Sequence, residues 1–146
     1  MICGTEKGST RMGGPNEGGC FCGRVRYRVD GEPLKSAVCH CYSCRSTSGA
    51  PSVAWLTFPY GRFSFVSGEP ADFRSSDDVS RTFCQGCGTS LTYRQDEYPD
   101  CIDVTTASMD RPEEFPPTHH IWLEDKLAWE GLGDELPRFE QGGPPG

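Results

Sequence analysis

From Arg24 to Val29 the chain alternates strictly, with Val25, Tyr27 and Val29 on one side and Arg24, Arg26 and Arg28 on the other. A period of two belongs to a half-buried β-strand, because successive side chains point to opposite faces. Asp30-Gly31-Glu32-Pro33 closes it with a turn. Short apolar runs recur downstream: Ser52 to Phe58, stopped by Pro59; Arg62 to Val66, ended at Gly68; Phe73 to Ser75; and Val79 to Phe83. Leu91 to Tyr93, Ile102 to Ala107 and His120 to Trp122 complete the set. Turn residues separate these runs about every ten positions, which predicts a mainly β domain. Only the segment around Asp125 to Trp129 reads as a helical turn.

Composition narrows this picture. A chain of 146 residues with 35% apolar residues suits one domain with a thin core, to which a cross-link would add stability. Residues 1–17 are rich in Gly, Ser and Thr and are expected to be a flexible lead-in. Residues 18–139 are expected to form the domain, and residues 140–146 a disordered tail. A net charge of -7 disfavours a nucleic-acid partner, since phosphate binding needs a basic face. No apolar run approaches the roughly 18 residues of a membrane span, and no leader pattern follows Met1. The expectation is a cytoplasmic protein without a membrane partner.

Cysteine changes the picture most. Cys39-x-Cys41-x-x-Cys44 puts three thiols within six residues, flanked by Cys20-x-Cys22 and Cys84-x-x-Cys87. In a reducing compartment such spacing points to metal more than to disulfides. Cys84-Gln85-Gly86-Cys87-Gly88 has the form of a zinc knuckle, in which a tight turn aims two thiolates at one ion. Cys20-Phe21-Cys22-Gly23 offers a second pair. Together Cys20, Cys22, Cys84 and Cys87 would close a tetrahedral shell of structural type. Cys39, Cys41 and Cys44 leave a fourth position open, as catalytic zinc requires. The alternative is that the seven thiols pair differently and the triplet is purely structural.

The remaining candidates carry weaker signals. His40 lies between two ligands, but adjacent residues of an extended segment point opposite ways, which favours a supporting role over ligation. Arg45 could reach an anionic substrate or simply face solvent, and the same choice holds for the arginines of the first strand. For Arg81, alternation says only that it faces away from Thr82. Cys101 reads as a core residue, Cys3 as a spectator thiol, and His119 and His120 as packing or capping groups.

Taken together, these residues resemble the family of glutathione-dependent formaldehyde-activating enzymes, which includes centromere protein V. The matching stretches are Gly19-Cys20-Phe21-Cys22-Gly23-Arg24-Val25-Arg26-Tyr27, Cys39-His40-Cys41-Tyr42-Ser43-Cys44-Arg45 and Arg81-Thr82-Phe83-Cys84-Gln85-Gly86-Cys87-Gly88. A closing stretch also fits, with His120-Ile121-Trp122, Lys126, Trp129 and Asp134 to Phe139. The resemblance implies a β-tent fold of antiparallel sheets stapled by zinc, with two Zn²⁺ per chain. It implies a structural zinc on Cys20, Cys22, Cys84 and Cys87, and a catalytic one on Cys39, Cys41 and Cys44. It further implies a carbon–sulfur lyase that joins a small thiol, glutathione, to a small aldehyde, formaldehyde. The alternative is a non-catalytic zinc-stabilised binding module of the same fold. A chromatin or microtubule role, as in centromere protein V, is disfavoured by the acidic charge. Neither the oligomeric state nor the fourth ligand of the triplet zinc can be read from the sequence.

Overall fold

The computed structural model describes residues 15–144. Ten strands form two sheets. A three-stranded sheet joins β1 (Asn16–Gly19), β2 (Arg26–Val29) and β5 (Phe63–Ser67), in the order β1-β2-β5. A seven-stranded sheet is built from β3 (Lys35–Cys39), β4 (Val53–Pro59), β6 (Ala71–Ser76), β7 (Val79–Phe83), β8 (Ser90–Gln95), β9 (Cys101–Thr105) and β10 (His119–Ile121). Its order is β10-β3-β4-β9-β8-β7-β6. Among the described residues the strand pairings are antiparallel except that of β10 with β3, which is parallel, and His120 adds an isolated parallel bridge to Arg138. The fold is therefore mainly β, as expected, with one parallel pair in an otherwise antiparallel arrangement.

The alternation of the first strand is realised as burial. Val25, Tyr27 and Val29 lie inside, while Arg26 forms an ion pair with Asp110 and Arg28 another with Asp30. The three arginines thus decorate a solvated strand face. The main core lies between the sheets, where Tyr27 and Val29 meet Leu56, Phe58, Leu91, Ile102 and Val104, with Phe63 and Phe65 packed against them. Burying side chains of this size stabilises by about 1.5–3 kcal/mol each.

Several expected boundaries shift. The strand expected over 102–107 ends at Thr105 and continues as a 3₁₀ turn, Thr106–Ser108. The helical turn expected near 125–129 is a 3₁₀ turn at Leu123–Asp125. Residues 1–14 of the expected lead-in, with Cys3, lie outside the described residues. Within that stretch β1 already begins at Asn16, paired to β2, so order starts before residue 18. At the other end, the carbonyls of Glu140 and Gln141 accept hydrogen bonds from the N–H groups of Glu124 and Trp122. The first residues of the expected tail are thus tied to the turn after β10.

Strands β1 and β3 and the helix α1 (Tyr42–Ser48) were not expected. Asn16–Gly19 and Lys35–Cys39 are short and lack alternation long enough to register. The helix forms from its ends. Cys41 caps it by accepting from the Cys44 N–H at 3.3 Å, and Gly49 closes it at φ 71°, where a side chain would be strained.

The register of the large sheet lines up one row of side chains on the face turned away from the main core. Lys35 stands beside Thr57, Thr57 beside Asp103, Asp103 beside Tyr93, Tyr93 beside Arg81, and Arg81 beside Phe73. Burial pushes the Asp103 carboxyl up to about 6, opposed by a hydrogen bond from the Thr57 hydroxyl and by the charges of Lys35 and Arg81. A carboxyl whose folded pKa is raised adds stability below its unfolded value and loses that contribution as pH rises through the folded value. Replacing Asp103 by Asn should therefore stabilise the protein at pH 8, by about 1–3 kcal/mol in urea unfolding. The gap from wild type should narrow as pH falls through about 6 and close near the ordinary carboxyl value of 3.8. A variant no more stable than wild type at pH 8 would contradict the burial of this charge.

Candidate metal centre

The seven clustered cysteines separate into the two groups expected. Cys20, Cys22, Cys84 and Cys87 form one and Cys39, Cys41 and Cys44 the other, with the sulfurs of each group all within 4.8 Å of one another. All seven are free thiols. Cys101 opens β9, is buried and belongs to neither group.

Two turns build the four-thiol group. The first follows β1, where the Cys20 N–H donates to Val25 O, the Gly23 N–H donates to Cys20 O, and Gly23 sits at φ 79°. The second follows β7, where the Gly88 N–H donates to Cys84 O at 2.7 Å and Gly88 has φ 83°. Thr89 joins the turns: its hydroxyl accepts from the Phe21 N–H at 3.0 Å and lies 3.2 Å from Cys87 Sγ. That contact, with backbone N–H bonds, holds the Cys87 thiol down to about 5. Cys20 Sγ and Cys22 Sγ are 3.5 Å apart, and Cys22 Sγ and Cys84 Sγ 3.8 Å. Sulfurs at the corners of a tetrahedron with Zn–S near 2.3 Å lie about 3.8 Å apart, so the donor set fits zinc.

Two elements build the triplet, the end of a strand and the start of a helix. Cys39 ends β3, Cys41 caps α1 and Cys44 lies in its first turn. Cys39 and Cys44 are buried, and Trp55, Tyr93, Ile121 and Trp122 pack around them. Trp122 takes φ 58°, ψ 42°, a costly conformation for a bulky residue. Its N–H bond to Gln141 O and its packing on the triplet hold it there. Hydrogen bonds from Cys39 and Cys44 push the Cys41 thiol down to about 2. Hydrogen bonding to Cys41 and Cys44, with burial, pushes Cys39 up. Taking all three to thiolate requires a cation among them.

His40 is not brought into the triplet. Its ring is fully buried on the other side of the backbone, with Nε2 3.0 Å from His120 Nδ1. His120 Nε2 in turn donates to the Asp134 carboxylate at 3.0 and 3.1 Å. With both rings neutral, the Nε2–H of His40 donates to His120, and His40 Nδ1 is left without a partner. It faces the equally unpartnered Oε2 of Glu130 at 3.8 Å. The pair of histidines braces β3 against β10 and the 130–134 segment. Arg45 donates from Nε to His40 O and leans over Tyr42, so it serves the helix end. His119 stacks edge-on against Phe139.

Sequence reasoning left Arg81 undecided. It lies inside on β7, its Nε donates to Ser75 Oγ at 2.9 Å, and its Nη2 points at Cys44 Sγ at 3.9 Å. The pattern of β7 contained the signal, since Arg81 shares a face with the buried Val79. A cleft of about 410 Å³ opens between the Cys20 turn, the end of α1 and the start of β4, lined by Phe21, Ser48, Ser52, Thr89 and Ser108 among others.

Residues 15–125 match the model of the glutathione-dependent formaldehyde-activating enzyme family. That is most of the chain, and the protein belongs to this family. A Halomonas elongata protein provisionally named as a glutathione-dependent formaldehyde-activating enzyme is 28% identical over 123 residues, covering 77% of this chain and 78% of its own. An uncharacterized lyase of Schizosaccharomyces pombe is 29% identical over 84 residues, 53% of this chain and 56% of that protein. A crystal structure of a Rhodobacter sphaeroides protein shares the fold, with a TM-score of 0.56 at 20% identity, covering 84% of this chain and 98% of that one. Among the described residues, no helix is long and apolar enough to cross a membrane.

If each group holds one zinc ion, wild-type protein should carry two per chain by metal analysis. Cys87→Ser should lose one ion and lower the unfolding midpoint by roughly 10 °C or more, because it opens the link between distant turns. Cys44→Ser should lose the other ion and shift the midpoint by no more than roughly 3 °C. Equal destabilisation by both would contradict the division between a scaffold centre and an open one.

Proposed function

We propose that the chain is a zinc-dependent carbon–sulfur lyase that activates a small thiol, such as glutathione, for addition to formaldehyde or a similar small electrophile. Cys20, Cys22, Cys84 and Cys87 hold a structural zinc, and Cys39, Cys41 and Cys44 hold the ion at which the thiol is activated. The observation that carries this reading is the count at the triplet. Three sulfurs converge within 4.8 Å, and among the described residues no other His, Cys, Asp or Glu joins them. One coordination position is thereby left for a ligand from outside.

A zinc ion there would supply one thing, a positive charge that keeps an incoming thiol deprotonated near neutral pH. The protein's own residues do the rest. Cys39, Cys41 and Cys44 fix where the ion sits, because strand end, helix cap and helix turn hold their sulfurs. Trp55, Ile121 and Trp122 keep water from one side of the cluster, which strengthens electrostatic interactions there. The substrate sulfur then gives its electron pair to the carbonyl carbon and forms the C–S bond. The π pair of C=O moves to oxygen, which takes a proton from water, and an S-hydroxymethyl adduct leaves. The reverse sequence gives back thiol and aldehyde. Family membership and the two relatives' names support the lyase class, and the thiol and aldehyde follow from the family description.

Exchange NMR of glutathione and formaldehyde, with and without the protein at matched pH, tests this. The protein should accelerate exchange between free and S-hydroxymethyl glutathione, and Cys44→Ser should remove the acceleration while the fold remains. If wild-type protein with both metals bound gives no acceleration with glutathione or other small thiols, the triplet centre serves binding or scaffolding instead.

A further inference from the structure

Arg81 occupies a position where a strand facing the interior normally carries an apolar residue. It is 6% exposed, between Phe73 of β6 and Tyr93 of β8 in the register of the sheet. Removing a guanidinium from water costs several kcal/mol unless an anion is supplied. Among the described residues no carboxylate forms an ion pair with Arg81. Its partners are the Ser75 hydroxyl, the face of the Tyr93 ring at 5.0 Å, and Cys44 Sγ. Asp103 shares the cross-strand row but stands two strands away, about 10 Å by strand spacing, with Tyr93 between them. Its carboxyl is engaged by Thr57. Of the groups in contact with Arg81, the one able to carry negative charge beside it is the thiol of Cys44, 3.9 Å away, which belongs to the triplet. Three thiolates around a dication leave a formal charge of about -1, buried beside one buried positive charge.

We propose that Arg81 is the built-in counter-charge of the triplet centre. It is a positioning residue whose guanidinium offsets the excess anionic charge of Cys39, Cys41 and Cys44 around a divalent metal ion. A contact to Cys44 Sγ draws electron density from that ligand, and a fixed positive charge lowers the cost of an additional negative one. Both effects favour an anion, a thiolate, over neutral water at the fourth position. This last consequence rests on the reading of the triplet as a thiol-activating centre. The four-thiol group differs in setting, because Cys22 is exposed and water screens part of its charge.

The test uses the cadmium-loaded full chain, whose two ions give separate cadmium NMR signals, with the triplet signal assigned by its loss in Cys44→Ser. Arg81→Met keeps length and apolar bulk without charge, and Arg81→Lys keeps charge without the planar fork. In competition with a graded chelator, Arg81→Met should lose metal from the triplet at roughly 10–100-fold lower chelator concentration than wild type. Its four-thiol signal should be unchanged, and Arg81→Lys should recover most of the difference. Uncharged 2-mercaptoethanol should shift the triplet signal of wild type and Arg81→Lys, and require roughly tenfold more thiol in Arg81→Met. Met and Lys variants that behave alike, whether both intact or both impaired, would overturn the counter-charge, since packing or shape would then explain the residue. If chelator competition depends on charge at position 81 but wild type takes up no thiol, the counter-charge stands and the thiol-activating reading fails. An unfolded Arg81→Met, lacking the four-thiol signal, leaves Arg81→Lys and Arg81→Gln to decide by the same comparison.

Discussion

The structure depends on bringing two turns, more than sixty residues apart in sequence, to within sulfur–sulfur contact. Among the described residues the three-stranded and seven-stranded sheets share no ladder of hydrogen bonds. They meet through apolar side chains and at the point where the Cys20 turn reaches the Cys84 turn. Cys20 and Cys84 are part of the main core, so the clustered sulfurs and the packed side chains are one continuous body. Four thiolates this close repel strongly without a cation. The geometry of both turns, and the alignment of the two sheets, is thus coupled to the presence of an ion.

The two centres use the same ligand type in different settings. The four-thiol centre sits at the edge of the core, with Cys22 exposed and Cys87 half-buried. Its shell is complete within the chain, and its charge is exposed to water. The triplet lies on the opposite face of the large sheet, under α1, with Cys39 and Cys44 buried among Trp55, Tyr93 and Trp122. There the shell is incomplete and solvent screening is weak. Charge must be balanced by protein groups or by what binds. That contrast, more than ligand identity, is what distinguishes the two groups.

Much of this was legible in the sequence, because the dominant signals were local. The alternation of Arg24 to Val29, the glycines after Cys22 and Cys87, and the cysteine spacings each report on a few adjacent residues. The division of the seven thiols into four and three was expected from ligand counting and from family resemblance. What stayed hidden depends on partners remote in sequence. Tyr42 to Ser48 has poor helix formers, and its helix exists because Cys41 and Gly49 cap it. β3 acquires its identity from pairing with β4 and β10. The burial of His40 against His120 joins residues eighty positions apart, and the contact of Arg81 with Cys44 joins two distant elements, although alternation with Val79 already put Arg81 on an inward face.

The exposure of Cys22 bears on how the protein withstands the compounds it is proposed to handle. Formaldehyde and related electrophiles react with any accessible thiolate. Among the seven clustered cysteines Cys22 of the four-thiol group is exposed, Cys41 and Cys87 are half-buried, and Cys39 and Cys44 are shielded. Chemical wear by alkylation or oxidation should thus begin at the staple and leave the buried thiols for later. Ageing of the protein under electrophile stress would first appear as loosening around Cys22, with Cys39 and Cys44 still chemically intact.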